Sequence, residues 1–176
     1  MALAFDKVRF LLIEDHEPSI QILRTLLKAL GVQEAAAVRT VAAGLAKLET
    51  DRIDIVILDL LLGADSGLDF LAAIRREDSR HAFLPVLVLS AHTDKARVEA
   101  ARDAGATEVC AKPVSPAEVY KKIVSMIAEP RLYIRSDGYF GPDRRRHGEG
   151  DYEGDERRTG KPAGATNGPP AGAGNG

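Results

Sequence analysis

Five polar residues stand at the ends of apolar runs in this sequence. Glu14 and Asp15 follow Phe10-Leu11-Leu12-Ile13, and Asp59 follows Ile55-Val56-Ile57-Leu58. Ser90 follows Val86-Leu87-Val88-Leu89, and Lys112 follows Val109-Cys110-Ala111. A carboxylate flanked by that much apolar surface is costly unless a partner offsets it. If the runs are neighbouring strands, their ends bring three carboxylates, a hydroxyl and an amine to one edge. The carboxylates would repel, and one would take up a proton unless a cation joined them. A hard divalent ion such as Mg²⁺ resolves this, because it takes oxygen ligands and keeps several waters. With Lys112 as a second positive charge and Ser90 as a hydroxyl, the set suits holding a phosphoryl group on a carboxylate, with Asp59 as the attacking group. Taken singly, each residue has a plainer reading: Glu14-Asp15 or Asp59 as a cap, Ser90 as a turn residue, Lys112 as a surface lysine. Their joint occurrence at successive run ends favours the chemical one.

Apolar runs occur at residues 8–13, 35–38, 53–58, 85–89 and 107–110, and three are continuous Val/Ile/Leu segments suited to strands buried on both faces. Helix-period segments lie between them. In residues 19–30, Ile20, Leu23, Leu26, Leu27 and Leu30 share one face and Gly31 marks a stop. Thr40 caps a second helix through Val41, Leu45 and Leu48, and Ser66 opens a third through Leu68, Leu71 and Ile74. Asp94 caps a fourth that ends before Gly105. Ser115-Pro116 starts a fifth, with Val119, Ile123, Met126 and Ile127 as its apolar stripe. Five βα units imply a parallel sheet with helices on both faces and a site outside the carboxyl ends of the strands.

Length and composition set the bounds. The 176 residues suffice for one domain with a core, and a net charge of −2 gives no bulk attraction to nucleic acid or anionic membrane. The one cysteine, Cys110, sits in an apolar stretch, so no disulfide framework is expected within the chain. No apolar run reaches the roughly 20 residues of a membrane span, and the N-terminus does not read as a signal peptide. The expected location is the cytoplasm.

The segments FLLIED, DIVILDLLLGADSG, PVLVLSAH and CAKPVSP resemble the receiver domain of two-component response regulators over about residues 7–129. The resemblance implies a flavodoxin-like (βα)5 doubly wound parallel sheet in strand order 2-1-3-4-5, with residues 1–129 as the receiver. It makes Asp59 the phosphoacceptor, Asp15 the direct Mg²⁺ ligand and Glu14 its partner through water, with the Leu61 carbonyl as a further ligand. It makes Ser90 the switch hydroxyl, Lys112 the phosphate contact and Pro113 a residue whose peptide bond is often cis in the family. Gly67 matches the glycine eight residues after the phosphoacceptor. The spacings of 44, 31 and 22 residues between Asp15, Asp59, Ser90 and Lys112 make the match specific.

The departures are informative. Leu62 and Gly63 stand where the family commonly has Met-Pro, and Val109 replaces the switch Tyr or Phe. A change routed differently, or weaker, is expected at the fourth-helix and fifth-strand face. Leu61 and His92 occupy positions that tune loss of the phosphoryl group, and apolar Leu61 predicts a long-lived aspartyl phosphate. Leu61 also argues against a phosphatase-like hydrolase, which needs a second acid two residues after its nucleophile. The expected partners are a histidine kinase or phosphotransfer protein and a downstream protein target, with no DNA and no membrane; a homodimer stays open. A phosphorylation-independent scaffold is the remaining alternative.

From residue 131 the composition turns to Arg, Gly, Asp, Glu and Pro, with 8 basic and 7 acidic residues in the last 46. A Y-x-G-x-[DE]-R-R pattern occurs twice, as Tyr139, Gly141, Asp143, Arg144 and Arg145, then as Tyr152, Gly154, Glu156, Arg157 and Arg158. This reads as a largely irregular tail over 130–160, followed by disordered low-complexity sequence over 161–176. No winged-helix or catalytic output module is expected in it. It resembles the arginine-rich extensions of some stand-alone receivers, some of which bind cyclic di-GMP, and Tyr139, Arg144, Arg145, Tyr152, Arg157 and Arg158 are its candidate ligand or partner contacts. Paired arginines beside tyrosines can stack on guanine and fork onto phosphates. A solvated charged tail, a nucleotide site and a protein-docking segment all remain open.

Overall fold

Strand-forming and helix-forming segments alternate as their hydrophobic periods require. The computed structural model describes residues 5–90, 95–136 and 138–143. In chain order the elements are β1 (Arg9–Ile13), α1 (Glu17–Ala29), β2 (Glu34–Val38), α2 (Val41–Thr50), β3 (Ile55–Asp59), β4 (Leu61–Leu62), β5 (Asp65–Ser66), α3 (Gly67–Ile74), β6 (Val86–Ser90), α4 (Lys95–Asp103), β7 (Glu108–Ala111), α5 (Pro116–Ala128), β8 (Tyr133–Ser136) and β9 (Tyr139–Pro142). The main sheet is parallel in the order β2-β1-β3-β6-β7, which is 2-1-3-4-5 when its five strands alone are counted.

Alternation along the strands divides the core. Phe10, Leu12, Ile57, Leu87 and Leu89 face α1 and α5, meeting Ile20, Leu23, Leu27, Val119 and Ile123. Leu11, Ile13, Val56, Leu58, Val86 and Val88 face the other side, meeting Leu48 of α2, Phe70 and Leu71 of α3 and Ala101 of α4. Each fully buried aliphatic contributes about 1.5–3 kcal/mol, enough to fix the strand register and hence which residues reach the carboxyl edge. Three of the expected caps form: the hydroxyls of Thr40, Ser66 and Ser115 accept the amides of Ala43, Leu68 and Glu118. Asp94 and His92 lie outside the described residues.

Within the stretch expected to be largely irregular, the described residues form one hairpin. β8 and β9 pair antiparallel, and Tyr133 and Phe140 close on Phe83 with ring centroids 5.0 and 5.4 Å away. Tyr133 donates its hydroxyl to the Phe83 carbonyl at 3.1 Å and lies over the Arg75 guanidinium. Buried Arg75 in turn donates to the carbonyls of Gly105, Ala82 and Leu84 at 2.8–2.9 Å. Gly141 lies so close to the α4–β7 turn that a Cβ there would come within 3.1 Å of Gly105 Cα. The aromatic contacts and the arginine outweigh the polar composition, so the extension packs on the βα domain. All described residues belong to one compact unit, Met1–Arg144. Arg144, Arg145, Tyr152, Arg157, Arg158 and residues 161–176 lie outside the described residues. Among the described residues, no helix is long and apolar enough to cross a membrane.

Glu108 ties the base of the hairpin to the sheet. Its buried carboxylate pairs with Lys122 of α5 at 2.7 Å and with Arg131 at 2.5 Å, and Arg131 also donates to the Asp143 carbonyl at 3.3 Å. Burial alone would raise the Glu108 pKa, but the bonds and charges of Lys122 and Arg131 outweigh it and hold the group below the ordinary glutamate value. A depressed carboxylate pKa stabilises the fold above the unfolded value, and that contribution is lost as pH falls through the folded one. Glu108→Gln is therefore expected to be less stable at neutral pH and to lose less stability than the native chain between about pH 5 and pH 3. Urea unfolding at both pH values checks this; parallel losses in the two proteins would contradict it.

Candidate phosphoacceptor and metal site

The site forms where β1, β3, β6 and β7 end. β3 is buried along its whole length and delivers Asp59, which is 6 % exposed, to the edge. β1 ends one residue before Glu14, which is 1 % exposed, and Asp15 follows it into the β1–α1 loop. One carboxylate oxygen from each of Glu14, Asp15 and Asp59 lies within 4.8 Å of the others. Lys112 follows β7 and reaches across two strands. Its Nζ donates to Asp59 Oδ2 at 2.7 Å and to Glu14 Oε2 at 2.8 Å. Burial works against this ammonium, but its bonds to Asp59 and Glu14, with their charges, raise its pKa above the ordinary lysine value.

Local geometry keeps Asp59 oriented. Its second oxygen, Oδ1, accepts the Leu61 amide at 3.2 Å. β4 and β5 form a short ribbon beyond it, placing the Leu61 side chain, 48 % exposed, outside the core. Gly67 opens α3 against the Asp59 backbone, where an added Cβ would come within 2.4 Å of the Asp59 carbonyl oxygen. Ser90 ends β6 and is buried, and its carbonyl accepts the Lys112 amide at 2.7 Å. The Lys112-Pro113 peptide bond is cis. Val109 is half-buried and packs on the α2–α4 side of the sheet.

Glu14, Asp15, Asp59 and Lys112 are thus brought together, with Ser90 at the end of the strand beside that of Asp59. An all-oxygen set of three carboxylates fits a hard divalent cation such as Mg²⁺. Tyr139 is committed elsewhere: half-buried in the hairpin, it donates its hydroxyl to the Pro142 carbonyl at 2.8 Å. Residue types did not point to Arg39, whose guanidinium pairs with Glu17 and lies 3.4 Å from the Asp15 carbonyl oxygen. Only its place one residue after the second apolar run could have raised it.

The model of the response regulator receiver domain matches residues 10–124. This chain belongs to that family. The receiver is 33 % identical over 113 residues to the KDP operon transcriptional regulatory protein KdpE of Escherichia coli, covering 64 % of this chain and 48 % of KdpE. The chain therefore spans about half the length of that curated relative. The chemotaxis response regulator CheY4 of Vibrio cholerae superposes with a TM-score of 0.60 at 26 % identity, over 66 % of this chain and 95 % of that one. The receiver domain of the sensor histidine kinase PA1611 from Pseudomonas aeruginosa, solved with a magnesium ion in its active-site cleft, superposes at 0.62 and 23 % identity, over 69 % and 98 %. Residues 10–124 are thus a response regulator receiver domain of the two-component type.

The backbone contact at Gly67 generates a prediction. Gly67→Ala has to push α3 away from the Asp59 carbonyl, at a cost of about 3 kcal/mol. A denaturant midpoint equal to the native one would show that the loop yields without strain.

Proposed function

We propose that this receiver accepts a phosphoryl group on Asp59 and signals by phosphorylation-dependent binding to a protein target, in the cytoplasm and without contacting DNA. The observation that carries the reading is the Lys112 ammonium seated 2.7 Å from Asp59 beside two further carboxylates. In the transfer, an Asp59 carboxylate oxygen bonds phosphorus while the P–N bond to a phosphohistidine breaks, and the imidazole leaves with the bonding pair. Lys112 then pairs with a phosphoryl oxygen, and Ser90 supplies a hydroxyl to another. Mg²⁺ held by Asp15, Asp59 and the Leu61 carbonyl, with Glu14 through water, would neutralise charge on the phosphoryl oxygens. The magnesium in the PA1611 receiver is in keeping with this assignment. A histidine kinase or phosphotransfer protein is the donor.

Two residues shape the outcome. Leu61 has no group to act as a general acid or to orient water, so the chain works as a phosphoacceptor rather than a hydrolase and keeps its phosphoryl group for long. Val109 offers no aromatic ring to turn inward, so the change following Ser90 takes another route or is weaker.

Incubation with acetyl phosphate and Mg²⁺, read by intact mass, tests the reading. One added phosphoryl group is expected on the native chain and none on Asp59→Asn. After donor removal, the added mass should decay faster in Leu61→Asn. Labelling that survives Asp59→Asn would overturn the site, and equal decay would overturn the role of Leu61.

A further inference from the structure

The β1–α1 loop carries Asp15, and it has an external tether. His16 takes the N-cap position of α1 but makes no side-chain bond to the helix's first amides. Glu14 accepts the His16 amide through Oε1 at 3.1 Å, while its Oε2 accepts Lys112. That fixes the loop at Glu14, His16 Nδ1 lies 3.0 Å from Ser19 Oγ in α1, and Asp15 itself is reached from outside the loop by Arg39. The hydrogen-bond ladder continues one residue past β1, from the Glu14 amide to the Val38 carbonyl at the end of β2 at 3.1 Å, and so brings Arg39 beside the loop. The two arms of its guanidinium divide the task. Nη1 lies 3.4 Å from the Asp15 carbonyl oxygen, and Nη2 pairs with the Glu17 carboxylate in the first turn of α1. A planar fork suits two acceptors at a fixed angle, where a lysine would satisfy one.

We infer that Arg39 is a positioning residue for the divalent cation, holding Asp15 in register with Glu14 and Asp59 by clamping the loop on both sides. The inference rests on the metal site proposed above. It sets two effects against each other. As a cation near the cluster, Arg39 disfavours a second cation, so charge alone makes its removal tighten Mg²⁺ binding. As a clamp, Arg39 reduces the ordering that the loop must undergo when the ion binds, so its removal weakens binding. Partners that orient a metal ligand typically matter by 10-fold or more. For this pair, with about half of each side chain exposed, the low end is expected.

Calorimetric titration of the full chain with Mg²⁺, together with the rise in melting temperature that Mg²⁺ produces, decides between the two effects. Arg39→Ala is expected to bind Mg²⁺ roughly tenfold more weakly and to show a smaller thermal gain. Its metal-free melting temperature should stay close to native, because an exposed pair contributes little to the fold. Arg39→Lys keeps the charge without the fork and should remain weakened. Native-like or tighter binding by Arg39→Ala, or full recovery in Arg39→Lys, would overturn the inference while leaving the metal site standing. No binding by the native chain, with Asp15→Asn indistinguishable from it, would overturn the metal site and the inference together.

Discussion

Three carboxylates gathered at the end of an apolar sheet need a cation, and much of the site's construction answers that need. Their oxygens come within 4.8 Å of one another, and two of the three side chains are almost fully buried. Lys112 supplies the charge from the far side of β6, bonding Glu14 and Asp59 at once. That pair of hydrogen bonds spans the ends of β1, β3 and β7, so the electrostatics of the site also ties the sheet's edge together. The cluster still presents oxygen ligands on the side of Asp15, which is where a divalent ion fits.

Much of this was legible in residue types and spacing. The apolar runs became the five parallel strands, because segments buried on both faces must be continuously apolar. Their first polar residues became the site, because strand ends are where such sheets meet solvent. Thr40, Ser66 and Ser115 acted as caps because their hydroxyls replace missing helical partners. Boundaries shifted by a few residues, as with α1, which starts at Glu17 rather than near Ser19.

What escaped the sequence depends on contacts distant along the chain. The hairpin after α5 has little local signal, because neither Tyr133–Ser136 nor Tyr139–Pro142 alternates apolar with polar residues. Its stability comes from Phe83 and Arg75, which are not neighbours in sequence. Arg75 itself reads as a helix-end surface residue, yet three backbone carbonyls and an aromatic ring enclose it. Arg39 reads as an ordinary charge after a short strand, and only the β1–β2 register places it beside Asp15. The same contacts make the extension part of the receiver's packing, gripping the lead-in to β6, the α4–β7 turn and the first residue of β7.

The central claim is that the carboxylate cluster requires a cation and that Lys112 and a divalent ion share that role. Thermal unfolding of Lys112→Met with and without Mg²⁺ tests it most directly. The account predicts that the variant melts well below the native chain in the absence of metal, and that Mg²⁺ raises its melting temperature by more than it raises that of the native chain. A variant whose deficit is the same with and without Mg²⁺ would contradict it.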